Sequence, residues 1–457
     1  MRKLINNIIK ALIITSVKSN ATWPLVYIYS KVIREVKSTQ NRSNAKKFTL
    51  LVLTPERFRG DLKVLADTNK FRILSLPCNW QYKIISLYWS EKIEKKIGKY
   101  WDPGEDRILI KMQSNLRSFL KIFLASLYSY LNIDAVVSAC VYYRQDHDWG
   151  LVSHEIGIPY IVLHRENLAT ATQQKLFYLN KFREIKRFNV DYIIVQNLQI
   201  KELLIKSGIV NVDKVDALGC LRMCDYVRRL KGWKKNDKKR RKVVLFSFHY
   251  GAGLQTIRGS GFINRDIGYV ELFEHVHVSI ARLASQHGDI DFVIKPKWGG
   301  PWIDEIEYVF RKNNIDSKDF DNLSILVDVN VHELILEADV ICGFGSTTLL
   351  EAAIANVPVI VPYFADALKP EYAEHIQFKE EFEIFDIAHS VDDFEKLIIE
   401  RLKNPKVSKE CMDKRYSIFE KYVSSMKGDA VDKYVRKISH VIEGNNFRRV
   451  AKSKISF

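Results

Sequence analysis

An alternation of short apolar segments with helical segments constrains the fold of this 457-residue chain more than any other feature. Segments of β-favouring residues such as FTLLVLT (48–54) and DAVVSACV (134–141) have the length and composition of buried strands. Stretches with helical spacing of apolar residues, for example residues 114–131, lie between them. Strands that alternate with helices in this way are typical of a parallel, doubly wound sheet, so the chain is predicted to be an α/β protein.

A basic segment divides the alternation into two series. Residues 228–242 hold ten cations and a single carboxylate, Asp237. The predicted strands are 48–54, 71–77, 134–141, 158–167, 190–197 and 212–219 before this segment, and 242–249, 291–297, 323–328, 339–345 and 357–364 after it. A chain of this length has room for two domains of about 100–200 residues each.

We therefore predict two Rossmann-like doubly wound lobes with an interdomain cleft. The N-terminal lobe is assigned to residues 48–227, the basic linker to 228–241 and the C-terminal lobe to 242–405, followed by helices and a basic tail over 406–457. Ligands of open parallel sheets bind beyond the carboxyl ends of the strands. Polar residues that directly follow an apolar strand are therefore the candidates for function.

The N-terminal segment, residues 1–36, begins as a basic amphipathic helix. Its apolar stripe comprises Leu4, Ile5, Ile8, Ile9, Leu12 and Ile13. Such a helix either lies in the headgroup layer of an anionic bilayer or packs on the protein, and both interpretations remain open. No uncharged apolar stretch is long enough to predict a membrane-spanning helix.

The charge and the cysteines of the chain indicate which partners it binds and in which cellular compartment it is found. The chain has 71 Lys and Arg against 54 Asp and Glu, a formal net charge of +17, concentrated in the basic segment and the C-terminal tail. Such patches attract anionic membrane surfaces, or are solvated linkers. No nucleic-acid-binding motif accompanies them. The six cysteines show no paired spacing, which favours a reducing compartment. We expect a cytoplasmic protein, peripheral on the inner face of the cytoplasmic membrane.

The strongest local signal is DVICGFGSTTLLEAAIANVPVIVPYF (339–364). Gly343 and Gly345 allow a tight turn after the strand. Ser346, Thr347 and Thr348 then begin a predicted helix, 346–356, whose N-terminus suits a phosphate. Glu351 follows within that helix, where a carboxylate reaches ribose or sugar hydroxyls. A plain glycine turn with a capped helix is the alternative, because the spacing matches neither a dinucleotide fingerprint nor a P-loop.

This stretch resembles the nucleotide-diphosphate-binding segment of the GT-B glycosyltransferases, in which a Gly/Ser/Thr loop, a helix with a Glu and a Pro-Val-Ile strand follow one another. The segment KGDAVDKYVRKI (427–438) is similar to the closing helix of that group. The similarity is closest to bacterial capsule and surface-polysaccharide enzymes, including Kdo transferases and CDP-glycerol glycerophosphotransferases. Over the N-terminal half, the resemblance is one of architecture only.

The resemblance implies a glycosyltransferase that moves a sugar from a nucleotide-sugar donor to a glycan or lipid-linked acceptor in capsule or lipopolysaccharide biosynthesis. CMP-Kdo is one donor that it suggests, and a UDP- or GDP-sugar fits nearly as well. It implies donor binding by Gly345, Ser346, Thr347 and Glu351. No metal or other cofactor is expected, and no nucleic-acid partner.

Cations near two further strand ends add to the predicted donor site. Lys295 and Lys297 follow a strand and flank Pro296, so that both ammonium groups are expected to neutralise phosphate. The resembling enzymes often carry His-Pro in this loop, and a basic surface turn is the alternative. His249 ends the strand 242–249 and is interpreted as a phosphate ligand or proton carrier, with a structural histidine as the alternative. Arg258 and Arg265 are further predicted anion contacts.

Two carboxylates are candidates for catalytic groups that act on the acceptor. Glu166, in LHREN (163–167), is the leading general base, with a loop ion pair as the alternative. Asp225 lies in GCLRMCDY (219–226), which resembles a Gly-x-x-Arg-x-x-Asp turn of the surface-polysaccharide enzymes. Asp225 is interpreted as a nucleophile or as a group that orients the acceptor, against a structural bridge with Arg222.

Two other readings of the same chain remain open. The first keeps the fold and changes the reaction, giving a CDP-alditol phosphotransferase or a sugar-nucleotide 2-epimerase. The second belongs to another class and is a non-catalytic membrane scaffold. Asp289 and Asp291 form an Asp-x-Asp pair, but it precedes a strand instead of ending one, so no metal site is predicted there.

Overall fold

The structure is a computed structural model that describes residues 2–39, 47–89, 100–101, 104–185, 188–233, 240–258 and 267–455. The predicted anion contact Arg265 and most of the basic linker lie outside these residues, as do the side chains of Arg258 and of the start of the first helix. The chain divides into two compact units. The first unit comprises Met1–Asn167, Leu179–Cys224 and Gly428–Phe457, and the second comprises Leu168–Tyr178 and Asp225–Lys427.

The first unit is built on a seven-stranded sheet with the order β1-β3-β2-β4-β5-β6-β7. Its strands are β1 (Arg34–Glu35), β2 (Phe48–Leu53), β3 (Phe71–Leu76), β4 (Ala135–Ser138), β5 (Tyr160–Leu163), β6 (Tyr192–Val195) and β7 (Val215–Ala217). All neighbours pair in parallel except β1, which is antiparallel to β3. The strands β4, β5 and β6 are buried throughout, as their apolar sequences predict. The two-residue strand β1 is exposed, and no apolar run marks it in the sequence.

Helices cover this sheet and join its strands. They are Arg2–Ser19, Trp23–Val32, Asp61–Asp67, Cys78–Tyr88, Arg107–Leu131, Arg144–Glu155 and Leu198–Ser207, with Thr172–Arg183 and Met223–Leu230 crossing the division between units. The long helix Arg107–Leu131 begins where the Asp106 carboxylate accepts hydrogen bonds from the Ile108 and Leu109 amides. It ends at Asn132, which adopts a left-handed conformation at φ 54°.

The C-terminal helix, Ala430–Ile455, belongs to the first unit. Tyr434, Ile438 and Ile442 lie one helical turn apart and are at most 3% exposed. They pack in the same cluster as Leu50 and Val52 of the first sheet. The sequence assigned this helix to a separate C-terminal region, whereas its apolar stripe completes the core of the N-terminal half.

The second unit contains an all-parallel six-stranded sheet with the order β10-β9-β8-β11-β12-β13. Its strands are β8 (Arg241–Phe246), β9 (Ile290–Lys295), β10 (Leu323–Ile325), β11 (Val340–Gly343), β12 (Val359–Pro362) and β13 (Asp386–Ala388). The α-helices of this unit are Gln255–Arg258, Val270–Gln286, Pro301–Lys312, Val331–Glu337, Thr348–Ala353, Val391–Lys403 and Lys409–Tyr422. The two sheets, one all-parallel and one parallel except for β1, together with their covering helices confirm the predicted α/β class with two Rossmann-like lobes.

The N-terminal segment forms two helices instead of one. In the second of them, Trp23–Val32, the side chains of Leu25, Val26 and Tyr29 are fully buried. The ring of Tyr29 contacts Trp80, Phe123 and Trp149. This helix therefore packs on the first unit, and its other face leaves Trp23 65% exposed. No helix among the residues described is long and apolar enough to cross a membrane.

Candidate functional site

In the second sheet, the direction in which successive strands are added reverses between β8 and β11. The chain runs from β8 outward through β9 to β10, and then returns to the other side of β8 for β11, β12 and β13. Crevices at such a switch point, beyond the carboxyl ends of the strands, are where open α/β sheets bind ligands. Phe246 of β8 pairs with Gly343 of β11, so the loops that follow these strands leave the sheet side by side. The predicted site residues His249, Gly345 and Ser346 follow these two strands.

The loop after β11 requires its glycines. A Cβ at Gly343 would lie 3.1 Å from the Phe246 carbonyl oxygen, and Gly345 has a φ of +62°. The hydroxyl of Ser346 accepts a hydrogen bond from the Thr348 amide at 3.2 Å. The helix that follows, Thr348–Ala353, has six residues and is shorter than the predicted 346–356. A helix this short contributes only part of the aligned dipole expected there, so nearby cations matter more for holding an anion.

Glu351 is 2% exposed and lies in a small polar cluster. One of its carboxylate oxygens is 3.2 Å from Nε2 of His332. The imidazole of His332 stacks on the ring of Tyr226, with 4.1 Å between centroids, and the Tyr226 hydroxyl donates to the Glu351 carbonyl oxygen at 2.7 Å. These contacts fix the Glu351 carboxylate in position. His332 and Tyr226 were not predicted as site residues, because nothing in the local sequence relates them to Glu351.

Lys295 ends β9, the strand next to β8, and is 7% exposed. Burial lowers the pKa of its ammonium, and the charge of Asp328 opposes that shift. The Nζ atom donates one hydrogen bond to the Pro296 carbonyl oxygen, at 2.6 Å. Lys297 differs, because it is exposed and its ammonium lies 4.6 Å from the centre of the Trp298 ring. The two lysines, for which the sequence predicts the same role, thus differ in burial: Lys295 is buried and Lys297 is exposed.

His249 lies in the loop after β8 and is half-buried. Its Nδ1 accepts a hydrogen bond from the Gly251 amide at 2.7 Å. Its ring stacks against Tyr250 and meets Trp302 edge-on, with centroids 5.6 Å apart. An Nδ1 that accepts from an amide places the ring proton of the neutral imidazole on Nε2, which can donate to an anion. Of the predicted contact Arg258, the structure describes only the backbone, at the end of the helix Gln255–Arg258.

The first sheet has its own switch point, between β2 and β4. Glu166 follows β5 beside it, is half-buried, and accepts a hydrogen bond from the Tyr143 hydroxyl at 2.8 Å. Burial, and then the charge of Glu166, raises the pKa of Tyr143, which therefore keeps its proton. His164 is buried, and burial lowers its pKa to about 4, so its imidazole is neutral. Arg165 forms an ion pair with buried Asp61.

Asp225 is exposed and lies in the first turn of the helix Met223–Leu230. By the division of the chain it opens the longer segment of the second unit. Its charge acts on Arg229, whose guanidinium pairs with both carboxylate oxygens of Glu333, at 2.6 and 3.0 Å. In the described part of the chain, no group of three or more His, Cys, Asp or Glu side chains is arranged to hold a metal ion.

No family model and no curated protein sequence matches the chain. Among solved structures it is similar to the UDP-GlcNAc 2-epimerase from Neisseria meningitidis bound to UDP-GlcNAc, at 11% identity, with 87% of this chain and 100% of that chain covered and a TM-score of 0.47. It is also similar to a glycosyltransferase from Rickettsia africae ESF-5 (10% identity, 87% and 99% covered, TM-score 0.45). A third is MurG from Acinetobacter baumannii (13% identity, 86% and 100% covered, TM-score 0.41). Likenesses this distant carry no functional argument, so function is inferred below from the residues of this chain.

Proposed function

We propose that this chain is a nucleotide-sugar enzyme of the GT-B type and, more specifically, a glycosyltransferase. The second unit would hold the nucleotide-sugar donor, and the first would hold a glycan or lipid-linked acceptor. One observation carries the proposal. His249 and the Gly345–Thr348 turn follow β8 and β11, the two strands at the switch point of an all-parallel sheet, and the buried Lys295 ends β9 beside them, where it pairs with Phe246 of β8.

Lys295 supports the transfer step directly. As the bond between sugar and nucleotide breaks, negative charge develops on the departing phosphate, and fixed positive charge lowers the barrier. A buried ammonium is worth more in this role than an exposed one, because less water screens it. Its Nζ has donors left beyond the one used by Pro296. Ser346 and Thr347 would add hydroxyl donors, and no step of this scheme requires a divalent cation.

Glu351 and His249 would complete donor recognition. The Glu351 carboxylate, held by His332, accepts hydrogen bonds from ribose or sugar hydroxyls in this scheme. His249 would donate from Nε2 to a phosphate oxygen while the Gly251 amide holds Nδ1. Arg258, at the end of the next helix, remains a proposed anion contact. These groups form one donor-side set on the second unit.

Glu166 would act as the general base for the acceptor. It would take the proton from the attacking hydroxyl, which makes that oxygen a better nucleophile for the anomeric carbon. The hydrogen bond from Tyr143 orients the carboxylate. Asp225 remains the second candidate, as a nucleophile in a retaining reaction or as a group that orients the acceptor.

We also propose that the protein binds the inner surface of the cytoplasmic membrane through its N-terminal helices. Residues 1–39 carry seven cations, Arg2, Lys3, Lys10, Lys18, Lys31, Arg34 and Lys37, against the single carboxylate Glu35. Trp23 and Tyr27 are 65% and 55% exposed, and Trp23 meets the exposed ring of Tyr130 edge-on at 5.9 Å. Aromatic rings beside cations suit the headgroup region of an anionic bilayer.

Binding and turnover of nucleotide sugars test the proposed function. The purified chain is screened by thermal shift against CMP, CDP, UDP, GDP and their sugars, because a ligand that binds only the folded state raises the melting temperature. The donor that binds is then incubated with extracted glycolipid, and nucleotide release and product mass are measured. We expect Lys295→Ala to abolish most turnover and the matched control Lys297→Ala to retain it.

The products separate the alternative reactions. A glycosyltransferase adds the mass of the sugar to the acceptor, whereas an alditol phosphotransferase adds an alditol phosphate. A 2-epimerase converts the nucleotide sugar without acceptor, and a scaffold binds lipid without turnover. The glycosyltransferase proposal fails if no nucleotide sugar binds, or if Lys295→Ala turns over as fast as the unmodified chain.

A further inference from the structure

Four arginines gather at the carboxyl end of the first sheet. Arg57 and Arg59 lie in the loop between β2 and the helix Asp61–Asp67, Arg165 follows β5, and Arg222 follows β7. Much of Arg59 is accessible to solvent. Even so, the pKa of its guanidinium is lowered, first by partial burial and then by the charges of Arg222 and Arg165. The positive charges of Arg222 and Arg165 therefore act on the guanidinium group of Arg59.

Direct contacts hold this cluster together. Arg165 pairs with the buried carboxylate of Asp61, which also accepts a hydrogen bond from the Arg222 amide. The Arg57 guanidinium lies 5.5 Å from the centre of the Tyr143 ring, and Tyr143 donates to Glu166. Three separate strand ends thus contribute to one charged surface.

The cluster retains both donor capacity and space. The side chain of Arg165 is 8% exposed, and its Nε has no hydrogen-bond partner among the described residues. Gly60 has a φ of +97°, and a Cβ placed on it would meet no atom within 4 Å, so the space beside the loop is open. Arg59 also has a positive φ, 47°, which is uncommon for a residue with a side chain and recurs at ligand sites.

The charges do not balance. Arg57, Arg59, Arg165 and Arg222 supply four positive charges, and the carboxylates Glu56, Asp61 and Glu166 supply three negative charges, which leaves an excess of one. Glu56 and Arg57 are both exposed in the same loop, and their charges act in opposite directions on Cys78 and Asp146. The cluster therefore carries a net positive charge, which favours an anionic ligand.

We propose that this arginine cluster binds a phosphate group of the substrate held by the first unit. The guanidinium groups of Arg59, Arg165 and Arg222 would donate to its oxygens, since planar guanidinium groups match phosphate geometry. The proposal rests on the proposed function for its biological meaning, because it assigns a phosphorylated class to the acceptor. The binding itself is independent of turnover. Free phosphate and a lipid phosphate share this chemistry.

The test measures phosphate binding in a chain whose donor site is disabled. In a Lys295→Ala background, inorganic phosphate and a soluble short-chain phosphatidic acid are titrated by calorimetry. We expect both to bind, with tighter binding of the lipid if the acceptor is lipid-linked. Arg59→Gln and Arg222→Gln, which alter accessible or half-buried residues, should each weaken binding about tenfold or more. The matched control Arg72→Gln changes an exposed arginine of the same unit paired with Glu35 and should alter binding less than about twofold.

The following outcomes overturn this inference while leaving the proposed function intact. They are unchanged phosphate affinity in Arg59→Gln and Arg222→Gln, an equal effect of Arg72→Gln, and acetate binding as tight as phosphate binding. Loss of all phosphate binding in Lys295→Ala has the same meaning, because the phosphate would then belong to the donor loops. If no nucleotide sugar binds the unmodified chain but arginine-dependent phosphate binding persists, the proposed function fails and the phosphate site stands.

Discussion

The two units place different chemistry at equivalent positions of similar sheets. At the switch point of the second sheet the structure has a glycine turn with hydroxyls and one buried lysine, Lys295. Beyond the carboxyl ends of β2, β5 and β7 in the first sheet it has four arginines around Glu166 and Asp61. The strand order opens a crevice in both units, and the loops decide what that crevice binds. This difference is the basis of the proposed division of labour, in which the second unit binds the donor and the first binds a phosphorylated acceptor.

The largest effect is expected from the first unit. Glu166→Gln removes the proposed general base while keeping the hydrogen-bonding shape of the side chain. Because general-base catalysis contributes about 10²–10⁴-fold, kcat should fall by about that factor. The affinity for the nucleotide sugar, measured by calorimetry, should not change. Tyr143→Phe, which removes only the hydrogen bond to Glu166, should lower kcat by about tenfold or less. If Glu166→Gln retains full turnover, the first unit has another base.

Lys295→Ala should give the next largest effect and acts on the second unit. Removing one group that stabilises developing charge costs about 10²–10³-fold in kcat. Lys297→Ala, two residues along and exposed, should change kcat less than about threefold, since an exposed charge is screened by water. Equal losses in both variants would mean that burial of Lys295 has no catalytic significance.

Glu351→Gln should weaken donor binding more than it slows chemistry. A lost hydrogen bond to a buried carboxylate costs about 1.5–3 kcal/mol, or about tenfold or more in affinity. The matched control is Glu333→Gln, whose side chain is 44% exposed in its pair with Arg229 and should change affinity less than about twofold. Calorimetric titration with the donor measures both. If the control weakens binding as much as Glu351→Gln, the donor contact is not at Glu351.

Membrane binding should depend on the N-terminal helices of the first unit. Replacing both Trp23 and Tyr27 by Ala removes two exposed rings, and pelleting with anionic phospholipid vesicles should weaken by about tenfold. Trp298→Ala, which removes a ring 49% exposed in the second unit, is the control and should leave pelleting unchanged. Binding that survives the double replacement, or that is insensitive to salt, would contradict a peripheral site at these helices.

The smallest predicted effects are changes in the pH dependence of stability, and they come from two adjacent buried groups of the first unit. Burial lowers the pKa of His147 to about 4, so the unfolded chain binds a proton between pH 6.5 and 4 that the folded chain does not, and stability falls as pH falls. Burial raises the pKa of Asp146 to about 7, so between pH 3.8 and 7 its contribution falls as pH rises.

Variants at these two residues should therefore shift the pH dependence in opposite directions. His147→Phe should make the loss of stability towards acid shallower, whereas Asp146→Asn should make it steeper. Each variant should change the slope of the free energy of unfolding against pH by at most about 1.4 kcal/mol per pH unit, which is the value for one proton. Chemical denaturation at pH 4.5, 5.5 and 6.5 measures the slopes. Slopes that move the same way in both variants would contradict the direction of one of the two pKa shifts, and an unchanged slope would mean that the replaced group titrates normally in the folded protein.

The fold was largely predictable because burial leaves a pattern in the sequence. Strands such as β5, β11 and β12 are apolar throughout, since a parallel sheet covered on both faces exposes none of their side chains. The weak elements were missed for the same reason. The strand β1 has only two residues, and both are exposed. The strand β13 has three residues, and only Ala388 is buried. The helix after β11 was predicted too long, because its apolar spacing continues beyond its last hydrogen-bonded turn.

The sequence by itself determined the class of fold, the strand ends at which polar residues occur, and the basic character of the chain. Only the tertiary structure decided which of those residues meet. It joined Glu351 to His332, separated Lys295 from Lys297 by burial, and brought Arg59, Arg165 and Arg222 together from three strand ends. The reason is that local periodicity reports whether a residue is buried, whereas contact between distant residues depends on the order and register in which the strands pair.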